Sequence, residues 1–230
     1  MKHAWFITGT DTDVGKTLVS CALLHALRAR GLSAVGMKPV ASGCRMTAEG
    51  ARHADAEALL AASSVAVEYA AVNPYALPVA TAPHLAAQAA GITISIDTIT
   101  QAFAQLQARA NAVVVEGVGG WLVPIDATHT MAEVAARLQL PVVLVVGIRL
   151  GCLNHALLTA VAIERAGCRL AGWVANHLTT DDDGVLNGYV AALSARLAAP
   201  LVGEIPNMNI RPNPVHVAAH LDVSALLASN

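Results

Sequence analysis

Residues 141–148, "PVVLVVGI", carry no polar side chain. A strand with one face in water alternates apolar and polar residues, so a strand this uniform must be covered on both faces. The arrangement that does so is a parallel sheet sandwiched between helices. The rest of the chain fits that demand. "AWFIT", "SAVGM", "AVVVE", "LAGWVAN" and "PLVGEI" read as further strands, and helical segments separate them. Residues 15–30 form the first predicted helix, with Gly31 just beyond as a stop. "HADAEALLAA", "SIDTITQAFAQLQARA" and residues 154–166 read as further helices, and Thr130-x-x-Glu133 as a capping box opening another. "NPYALPVATAPH", with three prolines, reads as an irregular loop. No linker, repeat or low-complexity tract divides the 230 residues, so one domain is expected.

Ligands of open α/β sheets sit at the carboxyl ends of the strands. After the first strand comes "GTDTDVGKT". The phosphate-loop pattern has four residues between its glycine and its Gly-Lys-Thr, whereas five separate Gly9 from Gly15 here. The strand–loop–helix context nevertheless fits. Gly15 allows backbone N–H groups to approach a phosphate at a helix N-terminus. Lys16 would reach the outer phosphates, and the hydroxyl of Thr17 would ligate Mg²⁺. Glu116, at the tip of "AVVVE", is a carboxylate on a buried strand, and a metal would explain it. Asp55 reads either as a second metal ligand or as an acid placed to suit a helix dipole. Lys38, at the end of the second strand, is suited to charge developing on a transferring phosphoryl group.

Formal net charge is −2, which points to neither a nucleic-acid nor an anionic-membrane partner. The run of residues 142–146 is far short of the roughly 20 residues that span a bilayer, and no secretory leader is expected at the N-terminus. Cys21, Cys44, Cys152 and Cys168 show no C-x-x-C spacing, as expected of buried thiols in a reduced cytoplasm. The nine histidines include no H-E-x-x-H motif, and no zinc site is expected. His84 and His155 read as packing or hydrogen-bonding residues.

Taken in order, "GTDTDVGKT", "KPVASG", "HADAEAL", "VNPY", "TAPH", "VEGVGGW", "LGCLNHALLT", "AGWVAN" and "GEIP" resemble the dethiobiotin synthetases, ATP-dependent enzymes of biotin synthesis. The likeness runs from Phe6 to about Pro206, and it includes the five-residue spacing of the loop. It implies a three-layer, mostly parallel sheet of the P-loop nucleoside triphosphate hydrolase type. It also implies a homodimer, with ATP and Mg²⁺ as partners in the cyclisation of 7,8-diaminononanoate with CO2.

Residue roles follow from the same resemblance. Asp13, Val14, Gly15, Lys16, Thr17 and Leu18 would hold the phosphates. Thr17, Asp55 and Glu116 would hold Mg²⁺. Lys16 and Lys38 would stabilise the transferring phosphoryl, with Thr12 and Asp13 at the reacting end and Ser42 on the carbamate or substrate. Glu116, Gly117, Val118 and Gly119 would run past the nucleotide. Asn176, His177, Pro206, Asn207 and Met208 would surround the base. Gly151, Cys152, Leu153 and Asn154 would take the substrate carboxylate across the dimer. Asp13 stands where a Glu is expected, His177 where an Asp is, and Asn213 where a Glu is. Loss of acid near the base implies a relaxed nucleotide preference.

A ParA/MinD-like switch ATPase is the main alternative. Such proteins carry an additional lysine early in the loop, and none precedes Lys16 there. The amidotransferase synthetases of this fold add a glutaminase domain, for which 230 residues leave no room.

Overall fold

The computed structural model describes residues 2–180, 184–208 and 212–228. Strand β1 (His3–Gly9) leads into helix α1 (Lys16–Ala29) and strand β2 (Ala34–Met37). Short strands β3 (Val40–Ser42), β4 (Arg45–Thr47) and β5 (Gly50–Arg52) precede helices α2 (Ala54–Ala62) and α3 (Tyr69–Val72). Strand β6 (Tyr75–Leu77), helix α4 (Pro83–Ala90) and helix α5 (Ile96–Arg109) follow. Next come β7 (Ala112–Gly120), α6 (Met131–Arg137), β8 (Val142–Ile148), α7 (Cys152–Arg165) and β9 (Leu170–His177). The chain closes with α8 (Val185–Ser194), β10 (Leu201–Ile205), α9 (Pro214–Val217) and α10 (Ser224–Ala228).

Six strands form one parallel sheet in the order β10-β9-β8-β1-β7-β2. Every residue of β1 and β8 is buried. β8 is thus the interior strand that its uniform sequence predicts. Alternate residues of β1 explain the two covered faces. Trp5 and Ile7 pack with α1, α2 and the C-terminal helices, whereas Phe6 packs with α5 and α6. Beside these, α7 and α8 close over β8 and β9. Thr130 and Glu133 form the expected capping box, and Gly31 and Gly167 take positive φ beyond α1 and α7.

Two local expectations are corrected. The proline-rich stretch after Asn73 is ordered as β6, which pairs in parallel with β3, and then as α4, with Pro83 in its first turn. Proline at that position loses no helical hydrogen bond. Residues 45–52, given no structure by the sequence pattern, form the β4–β5 hairpin.

The edge strand β2 positions the site. Its free N–H groups at Ala34 and Gly36 donate to the hydroxyls of Ser64 and Ser63, which follow α2. A Cβ at Gly36 would stand 2.8 Å from Cβ of Leu59, so glycine there lets α2 lie directly on the strand. That contact brings Asp55, in the first turn of α2, toward the end of β2.

Candidate active site

The carboxyl ends of β1, β2 and β7 open into a cleft of about 1000 Å³. Thr12, Asp13, Gly15, Lys16 and Thr17 line it from the β1–α1 loop. Lys38, Ser42, Asp55, Glu116, Val118 and Gly119 line it from the other elements.

The loop is built to receive an anion. Gly15, the N-cap of α1, has φ 93° and supplies no side-chain cap, so the first turn of the helix is left open toward the cleft. Asp13 has φ 58°, uncommon outside glycine but tolerated by Asp. The loop also takes its shape from Asp11. Lys16 Nζ donates to the carbonyl of Asp11 at 2.8 Å, and the carboxylate of Asp11 accepts from the N–H of Thr12 and from Arg149 Nη2 at 2.8 Å each. Asn176 Nδ2 donates to the carbonyl of Val14 at 2.9 Å. A Cβ on Gly15 would strike that same amide.

Opposite the loop lies an ionic cluster built on a buried pair. Glu116 is fully buried and Lys38 nearly so. Lys38 Nζ lies 2.6 Å from Oε1 of Glu116, 3.0 Å from Oδ2 of Asp55 and 3.0 Å from the carbonyl of Gly117. The Thr17 hydroxyl donates to Oε1 of Glu116 at 2.8 Å. Burial alone would pull the Lys38 ammonium down, but the charges of Glu116 and Asp55 outweigh it and hold its pKa above the ordinary lysine value. Asp55 is likewise opposed by burial and held below the usual carboxylate range by Lys38. Lys16 has weaker compensation. Burial, then the neighbouring Lys38 charge, lowers it to about 8.

The cluster fits a small divalent cation. Oε2 of Glu116 is buried and has no hydrogen-bond partner. With Asp55 and Thr17 it offers the hard oxygen donors that Mg²⁺ prefers, and a set of two carboxylates and one hydroxyl leaves coordination positions for phosphate oxygens and water. Among the described residues no group of three or more His, Cys, Asp or Glu side chains could hold a metal. His216 and His220, four apart in sequence, belong to no such group.

The remaining expected site residues lie outside the cleft. Val14 is buried, and Leu18 packs against the same core as α1. His177 Nε2 lies 2.8 Å from Oε1 of Glu204. Together with Pro206, Asn207, Asn187 and His220 these two residues line a separate pocket of about 520 Å³ at the sheet edge. Met208 is half-buried against the core. Gly151, Cys152, Leu153 and Asn154 open α7 without lining the cleft. Cys152 is buried, and its N–H is taken by the carbonyl of Arg149 at 3.0 Å. Gly151 and Asn154 are exposed.

The sequence reading did not single out Asp11, Arg149 or His53. His53 also lines the cleft, and its Nδ1 accepts the N–H of Asp55 at 3.1 Å as the N-cap of α2. An N-capping histidine has no strong sequence signal, because Ser, Thr, Asp and Asn dominate that position.

Comparison with known proteins bears on the family and the fold. The family model of the AAA domain matches residues 3–214. The ATP-dependent dethiobiotin synthetase BioD of Xanthomonas oryzae pv. oryzae (strain PXO99A) is 57% identical over 203 residues, which cover 88% of this chain and 90% of that protein. That of Xylella fastidiosa (strain 9a5c) is 50% identical over 222 residues, covering 95% and 96%. The chain belongs to the dethiobiotin synthetase family. Two solved structures share the fold of this chain at low identity. The MinD cell division protein of Aquifex aeolicus has a TM-score of 0.57 at 16% identity, with 95% of this chain and 86% of that one covered. The signal recognition particle receptor FtsY of Elizabethkingia anophelis in complex with GDP has a TM-score of 0.52 at 16% identity. This chain spans 63% of that receptor's length. Both likenesses bear on the fold alone. Against identities of 50–57% to the synthetases they give no support to a switch ATPase. No helix among the described residues is long and apolar enough to cross a membrane.

Proposed function

We propose that this ligase cyclises 7,8-diaminononanoate with CO2 at the expense of ATP, giving dethiobiotin, ADP and phosphate. The observation that carries the reading is the buried Lys38–Glu116 pair, with half-buried Asp55 beside it, facing an anion-receiving loop in one cleft. Such a site supplies positioning and charge stabilisation, and the proposed chemistry needs little else from the protein.

In the first step one amine of the substrate attacks CO2, forms an N–C bond and loses a proton, leaving a carbamate. A carbamate oxygen then attacks the γ-phosphorus and ADP departs. The second amine attacks the carbamoyl carbon and loses a proton, and phosphate leaves with the oxygen that came from CO2. Lys16 and the open first turn of α1 hold the phosphates, together with Asp13, Val14, Gly15, Thr17 and Leu18. Lys38 stabilises the transferring phosphoryl and the carbamate. Thr12 and Asp13, at the tip made by the extra loop residue, face the diamine side with Ser42. Thr17, Asp55 and Glu116 hold Mg²⁺, which when bound offsets charge on the phosphate oxygens.

Asn176, beside Gly15, reads the base, and Pro206, Asn207 and Met208 pack near it. The segment Gly151, Cys152, Leu153 and Asn154 serves the substrate carboxylate of a second protomer. Exposed Leu150, Leu158 and Val161 beside and along α7 support a homodimer through that face. Four free, buried cysteines fit a cytoplasmic setting.

Phosphate release tests the reading. It should require both diaminononanoate and bicarbonate. Release that ignores them and responds instead to a protein or lipid partner would identify a switch ATPase.

A further inference from the structure

We infer that Tyr69 and Asn73 are positioning residues that fix Lys38 and Asp55 relative to one another. The inference rests on the proposed function for the roles of those two side chains.

The main sheet does not hold Lys38. Pairing of β2 with β7 ends at Met37 opposite Val115, and the next residue after Lys38 is a proline, which has no N–H to give. Both backbone groups of Lys38 are instead taken by the last residue of α3 and the residue after it. Its N–H donates to the carbonyl of Val72 at 2.8 Å, and its carbonyl accepts from Nδ2 of Asn73 at 2.7 Å. Asn73 is itself buried, at 3% exposure, so its amide is committed to the protein interior.

The same amide reaches Asp55 by a second arm. Oδ1 of Asn73 accepts from the Tyr69 hydroxyl at 3.0 Å, and that hydroxyl oxygen accepts the N–H of His53 at 2.9 Å. His53 caps α2 and accepts the N–H of Asp55. The Arg52 guanidinium lies 4.2 Å over the Tyr69 ring and covers it. One hydrogen-bonded chain thus runs from the backbone of Lys38 to the start of the helix bearing Asp55. A misplacement of about 1 Å at a reacting centre can cost on the order of a hundredfold in rate, so a device that sets both groups together has kinetic consequences.

Two variants separate the arms. Tyr69→Phe keeps the ring beneath Arg52 and removes only the hydroxyl. Binding of Mn²⁺ in the presence of a non-hydrolysable ATP analogue, followed by electron paramagnetic resonance, should weaken roughly three- to tenfold, the size of one lost hydrogen bond. Asn73→Asp keeps Oδ1 for Tyr69 but loses the donor to Lys38. It should lower kcat by about tenfold or more, while Mn²⁺ affinity and the KM for ATP stay within about twofold. Thermal unfolding of each variant reports its folding. Wild-type Mn²⁺ affinity in Tyr69→Phe with wild-type kcat in Asn73→Asp, whatever happens to Tm, would reduce the pair to a structural role and overturn the inference. Mn²⁺ binding needs no turnover. A wild-type chain that makes no dethiobiotin while Tyr69→Phe still loses metal affinity would therefore count against the proposed reaction and not against the metal arm.

Discussion

Lys38 and Glu116 form a buried ion pair, with Nζ 2.6 Å from Oε1 and neither side chain more than 3% exposed. Breaking such a pair by removing one partner costs about 3–5 kcal/mol, because the other charge is left uncompensated. Lys38→Met should therefore lower the stability of the nucleotide-free protein by about that amount. Divalent cation should restore more of it in the variant than in the wild type, because Glu116 and Asp55 are then free to take the metal. Tm measured with and without Mg²⁺ checks this. Equal Mg²⁺ shifts in the two proteins would remove Lys38 from competition for those carboxylates. Turnover of Lys38→Met should fall far more than its affinity for ATP, as expected of a group whose interaction strengthens in the transition state.

Glu116→Gln keeps the shape of the side chain and removes its charge. The concentration of Mg²⁺ needed for half-maximal turnover should rise. An unchanged Mg²⁺ titration would take Glu116 out of the metal site.

Lys16 links the site to pH. Its pKa is lowered to about 8, from 10.5, by burial and by the Lys38 charge. Between those values the unfolded chain keeps a proton that the folded chain has lost. The Lys16 contribution to stability therefore rises as pH climbs through that window. Phosphate binding reverses the preference and favours the ammonium. Binding of a triphosphate should therefore take up a proton near and above pH 8 and take up none well below it. Calorimetric titrations in buffers of different ionisation enthalpy measure that uptake, and Lys16→Met should abolish it.

If the base is read as proposed, nucleotide choice is set at the sheet edge. His177 is held by Glu204, and the pair lines a pocket separate from the phosphate cleft. With His177 and Asn213 standing where acids are expected, discrimination at the base should be weak. CTP, GTP and ATP should then support comparable turnover, and strict dependence on ATP would contradict it.

Much of this was legible in the sequence for identifiable reasons. The uniform apolar run of β8 required two covered faces, and the strand–loop–helix context of "GTDTDVGKT" placed that loop between β1 and α1, where it lines the cleft. Lys38 and Glu116 could be placed on one rim because the pattern puts both at the ends of parallel strands; Lys38 does follow β2 directly, but Glu116 is not the tip of its strand, since β7 runs on through the glycines to Gly120. Their direct contact could not be read, since it depends on how far β2 and β7 extend and on where α2 lands. Gly36 set that last contact, and nothing in the spacing announces it. The Asn73 clasp was hidden inside a proline-rich stretch that reads as a loop. Its order comes from side chain–backbone hydrogen bonds, which leave no periodic signal. The segment Gly151–Asn154 stood out by resemblance alone; it does not line the cleft, and the role proposed for it requires a second protomer.

The most direct measurement of the central claim is mass-spectrometric detection of the cyclic urea formed from diaminononanoate, bicarbonate and MgATP by the purified protein. Dethiobiotin should appear in one-to-one proportion with ADP, and omission of any one substrate should abolish both. ADP formed at an undiminished rate without the diamine, with no cyclic urea at any time, would contradict the account.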